Sequence, residues 1–269
     1  MLGCGSQNSL DPRYNGRYGL IKLSDLTSSV FKGEPLPHTP VLKGMKKTTH
    51  TKNHTRLGAI LLTLAFAHSV NAMTSTDGTV LKDFDTGLLE GWSERSFDGN
   101  TQYELVSEQG VNVLKGHTRQ QASILYKEET VDLLDTPIVN WSWKIDRTYP
   151  DIEEQTRDGD DFPARLYVVA QVGFLPWETL AINYVWASEV PLGEAWTSPF
   201  TDKAKMVAIQ SGDTYVGDWT SHSRNVAEDF KNFFDKDIKE IDGFAVMVDG
   251  DNAKQEAIAW FGHISFTQK

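Results

Sequence analysis

The chain has 269 residues, with 26 Lys and Arg against 37 Asp and Glu, and a formal net charge of −11 at pH 7. From residue 73 onward the balance is 17 basic against 34 acidic residues, a net charge of about −17. Such a surface repels nucleic acid and anionic membranes, so the composition excludes a nucleic-acid-binding protein. The single cysteine, Cys4, lies near the start, so no disulfide holds the rest of the chain.

A short apolar run near residue 60 follows a basic segment. Four Lys and Arg residues between 46 and 56 precede the run Leu57–Ala67, and small residues follow at Val70 and Ala72. Eleven apolar residues are too few for a membrane-spanning helix, which needs about 20. The pattern predicts a secretory signal peptide cleaved after Ala72, in preference to a permanent anchor.

This prediction divides the chain into three parts. A signal peptide begins at its initiator methionine, which Met45 supplies, so we expect residues 1–44 to be upstream or disordered sequence and 45–72 to be the signal peptide. The remaining 197 residues, 73–269, suffice for one sizeable core and predict a single domain. We expect an exported bacterial protein, periplasmic or extracellular, with no membrane span after cleavage.

Ten short runs rich in β-branched and aromatic residues follow, from "TVLKDF" to "AIAWFGHISF", divided by Gly, Asp, Asn and Pro. This spacing predicts an all-β fold, an antiparallel β-sandwich resembling a jelly roll. In "IVNWSWKI" the alternation places Trp141 and Trp143 on one face and Lys144 on the other, which favours a core role for both tryptophans.

One segment has a helical period instead. In "SRNVAEDFKNFF" the apolar residues Val226, Phe230, Phe233 and Phe234 recur at helical intervals. The pattern predicts one short helix over residues 224–234, with Ser223 as its N-cap.

The first candidate site is an acidic stretch that leads into an apolar strand, "RDGDDFPARLYVVAQV". Asp158, Asp160 and Asp161 offer three carboxylates in four residues, a pattern suited to a hard cation such as calcium. The alternative is a solvated acidic turn in which Asp160 or Asp161 pairs with Arg165. The residues alone leave both interpretations open.

A second acidic turn, "MVDGDN", follows another apolar strand. Asp249, Asp251 and Asn252 present oxygen donors on one side of that turn and are also candidate metal ligands. Asp, Gly and Asn are equally common turn formers, so this set has the same two interpretations.

The third candidate combines amide, guanidinium and aromatic groups, which suit sugars because rings stack on their C–H faces and polar groups bind their hydroxyls. The candidate ligand-binding residues are Asp161, Arg165, Tyr167, Asn183, Tyr184, Trp186, Gln210, Trp219, Arg224 and Asn225. For Tyr184 and Trp186 a core position is the alternative. A carboxylate pair, Asp161 opposite Asp229 or Asp249, is a candidate for glycosidase chemistry.

The motifs "GDDFPARLYVV", "LAINYVWAS", "IQSG", "WTSHSRNVAEDF" and "VMVDGDN" occur in this order. In them the chain resembles, over residues 80–266, a bacterial exported family catalogued as a domain of unknown function, number 3047. The resemblance implies no activity, but implies that certain residues occupy the family's motif positions. These are Asp160, Asp161, Arg165, Tyr167, Asn183, Tyr184, Trp186, Gln210, Gly212, Trp219, Arg224, Asn225, Asp229, Asp249, Asp251 and Asn252.

The segment "LKDFDTGLLEGW" is also similar, at the level of fold, to the entry strand of carbohydrate-binding jelly rolls. We therefore expect an exported, non-catalytic β-sandwich that binds a glycan or a similar polar ligand, using the polar face of the strand that begins near Arg165. A glycan-active hydrolase or lyase is the first alternative. An envelope structural or assembly factor is the second.

Overall fold

The computed structural model describes residues 84, 89–173 and 178–269. The predicted upstream segment 1–44, the predicted signal peptide 45–72 and most of the first predicted strand, 79–84, lie outside the described residues. The expectations that concern them therefore stay predictions.

The described residues form thirteen strands and one α-helix. In chain order the strands are β1 (Trp92–Asp98), β2 (Gln102–Glu108), β3 (Val111–Arg119), β4 (Ala122–Asp132), β5 (Ile138–Ile145), β6 (Ala164–Gln171), β7 (Thr179–Ala187), β8 (Ala195–Thr197), β9 (Ala204–Ser211), β10 (Thr220–Asn225), β11 (Glu240–Met247), β12 (Glu256–Phe261) and β13 (Ser265–Thr267). The helix α1 (Val226–Phe234) lies between β10 and β11.

The strands make two sheets, which confirms the predicted β-sandwich. The seven-stranded sheet has the order β1-β4-β11-β6-β7-β9-β8, and the six-stranded sheet has the order β10-β5-β12-β3-β2 with β13 also paired to β5. All pairs are antiparallel except β7 with β9, where Ala181 lies opposite Ala204 in a parallel register. The sandwich is therefore mixed at this one pair, where prediction gave only antiparallel pairing.

The main core lies between the two sheets. Trp141 and Trp143 of β5 point into it, 3% and 0% exposed, beside Leu166 and Val168 of β6. The two-residue alternation predicted for β5 is confirmed. It holds because each strand turns one face to the opposite sheet and buries its apolar side chains there.

The outer faces of the two sheets differ. On the central strands of the seven-stranded sheet, β6, β7 and β11, the outward side chains are mostly buried too, including Tyr167, Val169 and Met247, which belong to a second apolar cluster. On the six-stranded sheet the outward positions of β5, such as Ser142 and Lys144, are only half-buried. This second face is therefore where polar and aromatic side chains reach solvent.

The helix begins two residues later than predicted. Arg224 and Asn225 belong to β10, which pairs with β5, and Asn225 caps the helix by accepting a hydrogen bond from the Glu228 N–H at 3.2 Å. Ser223 is therefore not the N-cap, because it lies within the strand. Val226 and Phe230 are buried, as the helical spacing predicts.

Candidate functional site

The two acidic turns that the sequence shows separately meet at one end of the sandwich. We call this place the acidic junction: the end of the β5–β6 loop, Asp160 and Asp161, with Arg165 of β6 and the β11–β12 turn, Asp249, Asp251 and Asn252. Asp160, Asp161, Arg165 and Asp249 are all at most 2% exposed. Charged groups this deeply buried are stable only when they are paired and hydrogen-bonded.

Arg165 is held chiefly by Asp249, from the turn after β11. Its Nε donates to Asp249 Oδ1 at 2.7 Å and its Nη2 to Asp249 Oδ2 at 2.5 Å, a two-point pairing. The Asp160 carbonyl accepts a further hydrogen bond from Nη2 at 2.5 Å, and the Asp160 carboxylate lies 3.5 Å from Nη1. Burial is the largest single influence and opposes the charge of Arg165, but Asp249, Tyr167 and Asp160 together outweigh it and raise the pKa of the guanidinium well above its usual value.

Asp161 does not pair with Arg165 as its main contact but binds the opposite turn. Its carboxylate accepts hydrogen bonds from the Asn252 N–H and side-chain amide, both at 3.2 Å, and from the Ala253 N–H at 2.6 Å. Burial raises the pKa of Asp161, and these hydrogen bonds act against that rise. The carboxylate thus fastens the β5–β6 loop to the β11–β12 turn.

The remaining contacts of the β5–β6 loop are equally specific. Buried Glu154 accepts hydrogen bonds from the backbone N–H groups of three successive residues, Ser188 at 2.5 Å, Glu189 at 3.0 Å and Val190 at 2.9 Å. A Cβ at Gly159 would collide with the Glu153 carbonyl, so this turn requires glycine. The long acidic loop is therefore fixed by carboxylates that accept backbone hydrogen bonds.

Three carboxylates of the acidic junction have the geometry of a possible cation site. Asp161, Asp249 and Asp251 each offer an oxygen, and these oxygens lie within 4.8 Å of one another. The side-chain amide of Asn252 points at Asp161, whereas Asp158 is exposed and lies outside this triad. Of the six predicted metal ligands, three thus form this triad, Asp160 and Asn252 lie beside it in the acidic junction, and Asp158 lies outside it.

Four of the predicted ligand-binding residues fall on opposite faces of the seven-stranded sheet. Tyr167 and Asn183, paired between β6 and β7, are on the outer face and buried, with the Asn183 amide 3.3 Å from Met206 Sδ. Tyr184 and Trp186 are on the inner face and fully buried, so both take the core position that was the alternative. These four residues do not form one surface.

From the inner face of the seven-stranded sheet, Tyr184 reaches α1 and β10, the edge strand of the six-stranded sheet. The Tyr184 hydroxyl donates to Asp229 Oδ2 at 2.8 Å, and Arg224 makes a two-point ion pair with the same carboxylate through Nε, at 2.9 Å, and Nη2. Burial, followed by the Asp229 charge, raises the pKa of Tyr184 well above its usual range. Gln210 is buried, and Asn225 is the helix cap. This network joins α1 to the core.

In the same strand, β10, His222 packs against two aromatic rings. Its ring centroid lies 5.4 Å from those of both Trp141 and Trp143, and its Nε2 is 3.0 Å from Thr220 Oγ1. Burial lowers the pKa of His222 to about 4, so the ring is neutral at pH 7. A neutral imidazole here packs as an aromatic group.

Among the predicted ligand-binding residues the most exposed are Trp219, at 37%, and Arg224, whose side chain is 35% exposed but paired with Asp229. Trp219 lies just before β10, on the outer face of the six-stranded sheet, beside Lys144 of β5 and half-buried Trp260 of β12. The Lys144 ammonium is 5.4 Å from the Trp219 ring centroid and 4.3 Å from that of Trp260. The two ring centroids therefore lie within about 10 Å of each other.

Glu108, at the tip of the β2–β3 hairpin, completes this group. Its carboxylate lies 2.6 and 2.8 Å from the Lys144 ammonium, and Trp219 Nε1 donates to it at 3.2 Å. We call Glu108, Lys144, Trp219 and Trp260 the tryptophan platform. It combines two indole rings with an adjacent donor and acceptor, which is the set of groups that a sugar uses.

Sequence reasoning missed three of the four platform residues. A partial signal existed, because the alternation in β5 turns Lys144 outward, and the same alternation in β12 turns Trp260 away from Ala259 and Phe261. For Glu108 the sequence contained no such signal, because only the folded hairpin brings it to Lys144, 36 residues away in the chain.

Comparison with solved structures finds likeness at low identity. The carbohydrate-binding module TmCBM61, solved with β-1,4-galactotriose, is 10% identical, with 71% of this chain and 98% of that chain covered and a TM-score of 0.36. A structure of carbohydrate-binding modules of the β-sandwich superfamily is 13% identical (72% and 64% covered, TM-score 0.37). Endoglucanase 3 of Trichoderma harzianum, from family GH12, is 7% identical (67% and 99% covered, TM-score 0.37). Scores this low carry no functional argument.

Two further comparisons concern the chain as a sequence. No curated protein matches it. In the part of the chain that the structure describes, no helix has the length and apolar character needed to cross a membrane. A family model described as "Protein of unknown function (DUF3047)" matches residues 90–265, the range that holds both the acidic junction and the tryptophan platform. The chain therefore belongs to the DUF3047 family, as its motifs predicted.

Proposed function

We propose that this protein is an exported, non-catalytic β-sandwich that binds a glycan, and that the tryptophan platform is where the glycan lies. The observation that supports the proposal is the exposure of Trp219 beside Trp260 and the paired Glu108 and Lys144. Export rests on the predicted signal peptide at 45–72. The proposal moves the ligand from the Arg165 strand to the opposite sheet, because Arg165 and Tyr167 are 2% exposed.

The rival function is a glycan-active hydrolase or lyase that uses Asp161 and Arg165. Asp161 and Asp249 are near each other, but both are fully buried and engaged with backbone donors or with Arg165. A carboxylate that protonates a leaving group or activates water has to reach the substrate. The burial of these groups supports binding over catalysis.

A glycan array probed with the full chain tests the proposal. We expect binding that is lost in Trp219→Ala and kept in Leu192→Ala, a matched change at a side chain 65% exposed on the β7–β8 loop. Incubation with each bound glycan should release no new reducing ends. Product release that Asp161→Asn abolishes would favour the enzyme instead, and binding that ignores Trp219 would remove the platform from the proposal.

The second part of the proposal is a calcium ion at the acidic junction, held by Asp161, Asp249 and Asp251 with Asn252 beside them. The supporting observation is the convergence of the three carboxylate oxygens. Calcium takes six to eight oxygen ligands, so backbone carbonyls or water would complete the shell. A bound cation would reduce the repulsion among these carboxylates and further stabilise the contact between the β5–β6 loop and the β11–β12 turn.

Thermal melts with millimolar calcium and with chelator test this part. An ion at a hundred times its dissociation constant stabilises a fold by about 2.7 kcal/mol, which for a domain of this size is roughly 5 to 11 °C. We expect the shift to disappear in Asp251→Asn and to remain in Asp158→Asn, whose side chain is exposed. Coincident wild-type curves would mean that the acidic junction needs no ion.

A further inference from the structure

We infer that the tryptophan platform selects neutral glycans and rejects acidic ones, with Glu108 as the residue that sets this choice. The inference rests on the proposed function and adds the class of ligand. It follows from how the charges on the outer face of the six-stranded sheet are paired.

The ammonium of Lys144 is already neutralised in the protein. The Glu108 carboxylate contacts it at 2.6 and 2.8 Å, and the faces of two indole rings lie within 5.4 Å. The Lys144 and Glu108 side chains are only 16% and 25% exposed, so solvent screens this pair less than an open surface pair. An anionic ligand approaching Lys144 would therefore meet the carboxylate together with the cation.

The other charges on this face are paired in the same way. Lys115 is 2.8 Å from Glu104, and Glu256 is 2.8 Å from His117 and 3.5 Å from Arg119. With Glu108 and Lys144, the described strand residues on the outer face of this sheet hold three carboxylates and three permanent cations; Arg224 of β10 pairs with buried Asp229 instead. The strand residues of this face carry no net charge, exposed Asp218 lies next to Trp219, and the chain from residue 73 onward carries about −17. This balance of charges provides no net attraction for an anion.

A neutral sugar fits the same groups well. Neighbouring hydroxyls on a sugar ring can each donate and accept, so one can give a hydrogen bond to Glu108 while the next accepts one from Lys144. The apolar face of the sugar then lies on an indole ring. A uronic acid or a sulfated sugar would place its negative charge near Glu108, and like charges brought together at an interface oppose binding.

The test measures binding of the full chain to neutral and acidic glycans side by side. The neutral probes are β-1,4-linked gluco-, manno- and galacto-oligosaccharides, and the acidic probes are oligogalacturonate and heparin oligosaccharides. We expect Trp219-dependent binding to a neutral probe that is roughly tenfold or more tighter than to any acidic one. We expect it to change little between low and high salt, since no ion pair forms with the ligand.

Glu108→Gln gives the sharper result. The change removes the negative charge but keeps the shape, so the preference for neutral over acidic probes should shrink because Lys144 is no longer neutralised. The matched control is Glu129→Gln, a half-buried carboxylate paired with Lys127 at 2.9 Å on the seven-stranded sheet. That variant should keep the wild-type preference.

The outcomes separate the two levels of the proposal. Trp219-dependent binding that favours an acidic probe would overturn the charge selection and leave glycan binding standing. An unchanged preference in Glu108→Gln would overturn the role of Glu108. Absence of Trp219-dependent binding to every probe would overturn the proposed function, and this inference with it.

Discussion

The acidic junction and the tryptophan platform each contain a carboxylate beside a cation, but the two pairs differ in role. At the acidic junction Arg165 and Asp249 are enclosed, and every contact described above joins one part of the chain to another. At the tryptophan platform Glu108 and Lys144 remain partly exposed beside Trp219. Burial therefore distinguishes an ion pair that holds the fold from one that is available to a ligand.

The largest effect should follow from removing the guanidinium of the acidic junction. Arg165→Met leaves Asp249 buried without its main cation, and loss of one partner of a buried pair costs about 3 to 5 kcal/mol, or roughly 6 to 20 °C in Tm here. Arg119→Met, at a side chain 55% exposed, should cost about 0 to 1 kcal/mol. Thermal melts compare the two variants. Equal, small shifts in Tm for the two variants would contradict the claim that the buried ion pair stabilises the fold more than an exposed one.

A smaller loss is expected at Asp161. Asp161→Asn exchanges one acceptor oxygen for an NH₂ group and loses a hydrogen bond from Asn252 or Ala253, at about 1 to 3 kcal/mol. Asp158→Asn, three residues earlier and exposed, should change the free energy of unfolding by about 0.5 kcal/mol or less. Urea denaturation measures both. An equal loss of stability in Asp158→Asn would contradict the assignment of Asp161 as the residue that fastens the loop to the β11–β12 turn.

These two positions show how far the sequence could predict the acidic junction. It identified both acidic turns, and the alternation in β5 correctly predicted which of its residues enter the core. It named Asp160 or Asp161 as the partner of Arg165, but the chief partner is Asp249, 84 residues further along the chain. Local patterns cannot encode that meeting, because it depends on β11 pairing beside β6.

The tryptophan platform was less predictable for a related reason. Strand β10 has the polar sequence "TSHSRN", which lacks the apolar alternation that marks a strand, because Arg224 pairs with Asp229 inside and His222 packs there as a neutral ring. Without β10 the position of Trp219 beside β5 could not be derived. An edge strand whose polar side chains find partners within the protein thus lacks the apolar alternation by which a strand is recognised in a sequence.

The pH dependence of stability should report on the inner face of that strand. Burial lowers the pKa of His222 from 6.5 to about 4. On acidification the unfolded chain therefore takes up this proton at a higher pH than the folded protein does, and the free energy of unfolding falls as the pH drops from about 6.5 to about 4. Because the ring is partly exposed, solvent screening limits the loss to about 1 to 2 kcal/mol. His222→Gln should flatten this slope in denaturation curves at pH 7, 5.5 and 4. A slope identical to that of the wild type would assign it to other groups.

The smallest effect on stability is expected at the tryptophan platform itself. Trp219→Ala removes a partly exposed ring and should lower the free energy of unfolding by about 1 kcal/mol or less, while glycan binding is lost. Leu192→Ala serves as the control for both measurements. A Trp219 variant as destabilised as Arg165→Met would make the platform a structural element.

The distance along the chain between Arg165 and Asp249 has a consequence for how the protein acquires its fold. Strand β6 is the central strand of the seven-stranded sheet and carries Arg165 near its start. The carboxylate partner of Arg165 lies 84 residues downstream, after β11. Contacts this distant slow folding, because a large loop must close before they form. A nascent chain that stops before Asp249 would therefore expose an unfinished sheet. We expect the native state to form only after β11 has been synthesised, in one cooperative step that includes both ends of the sandwich.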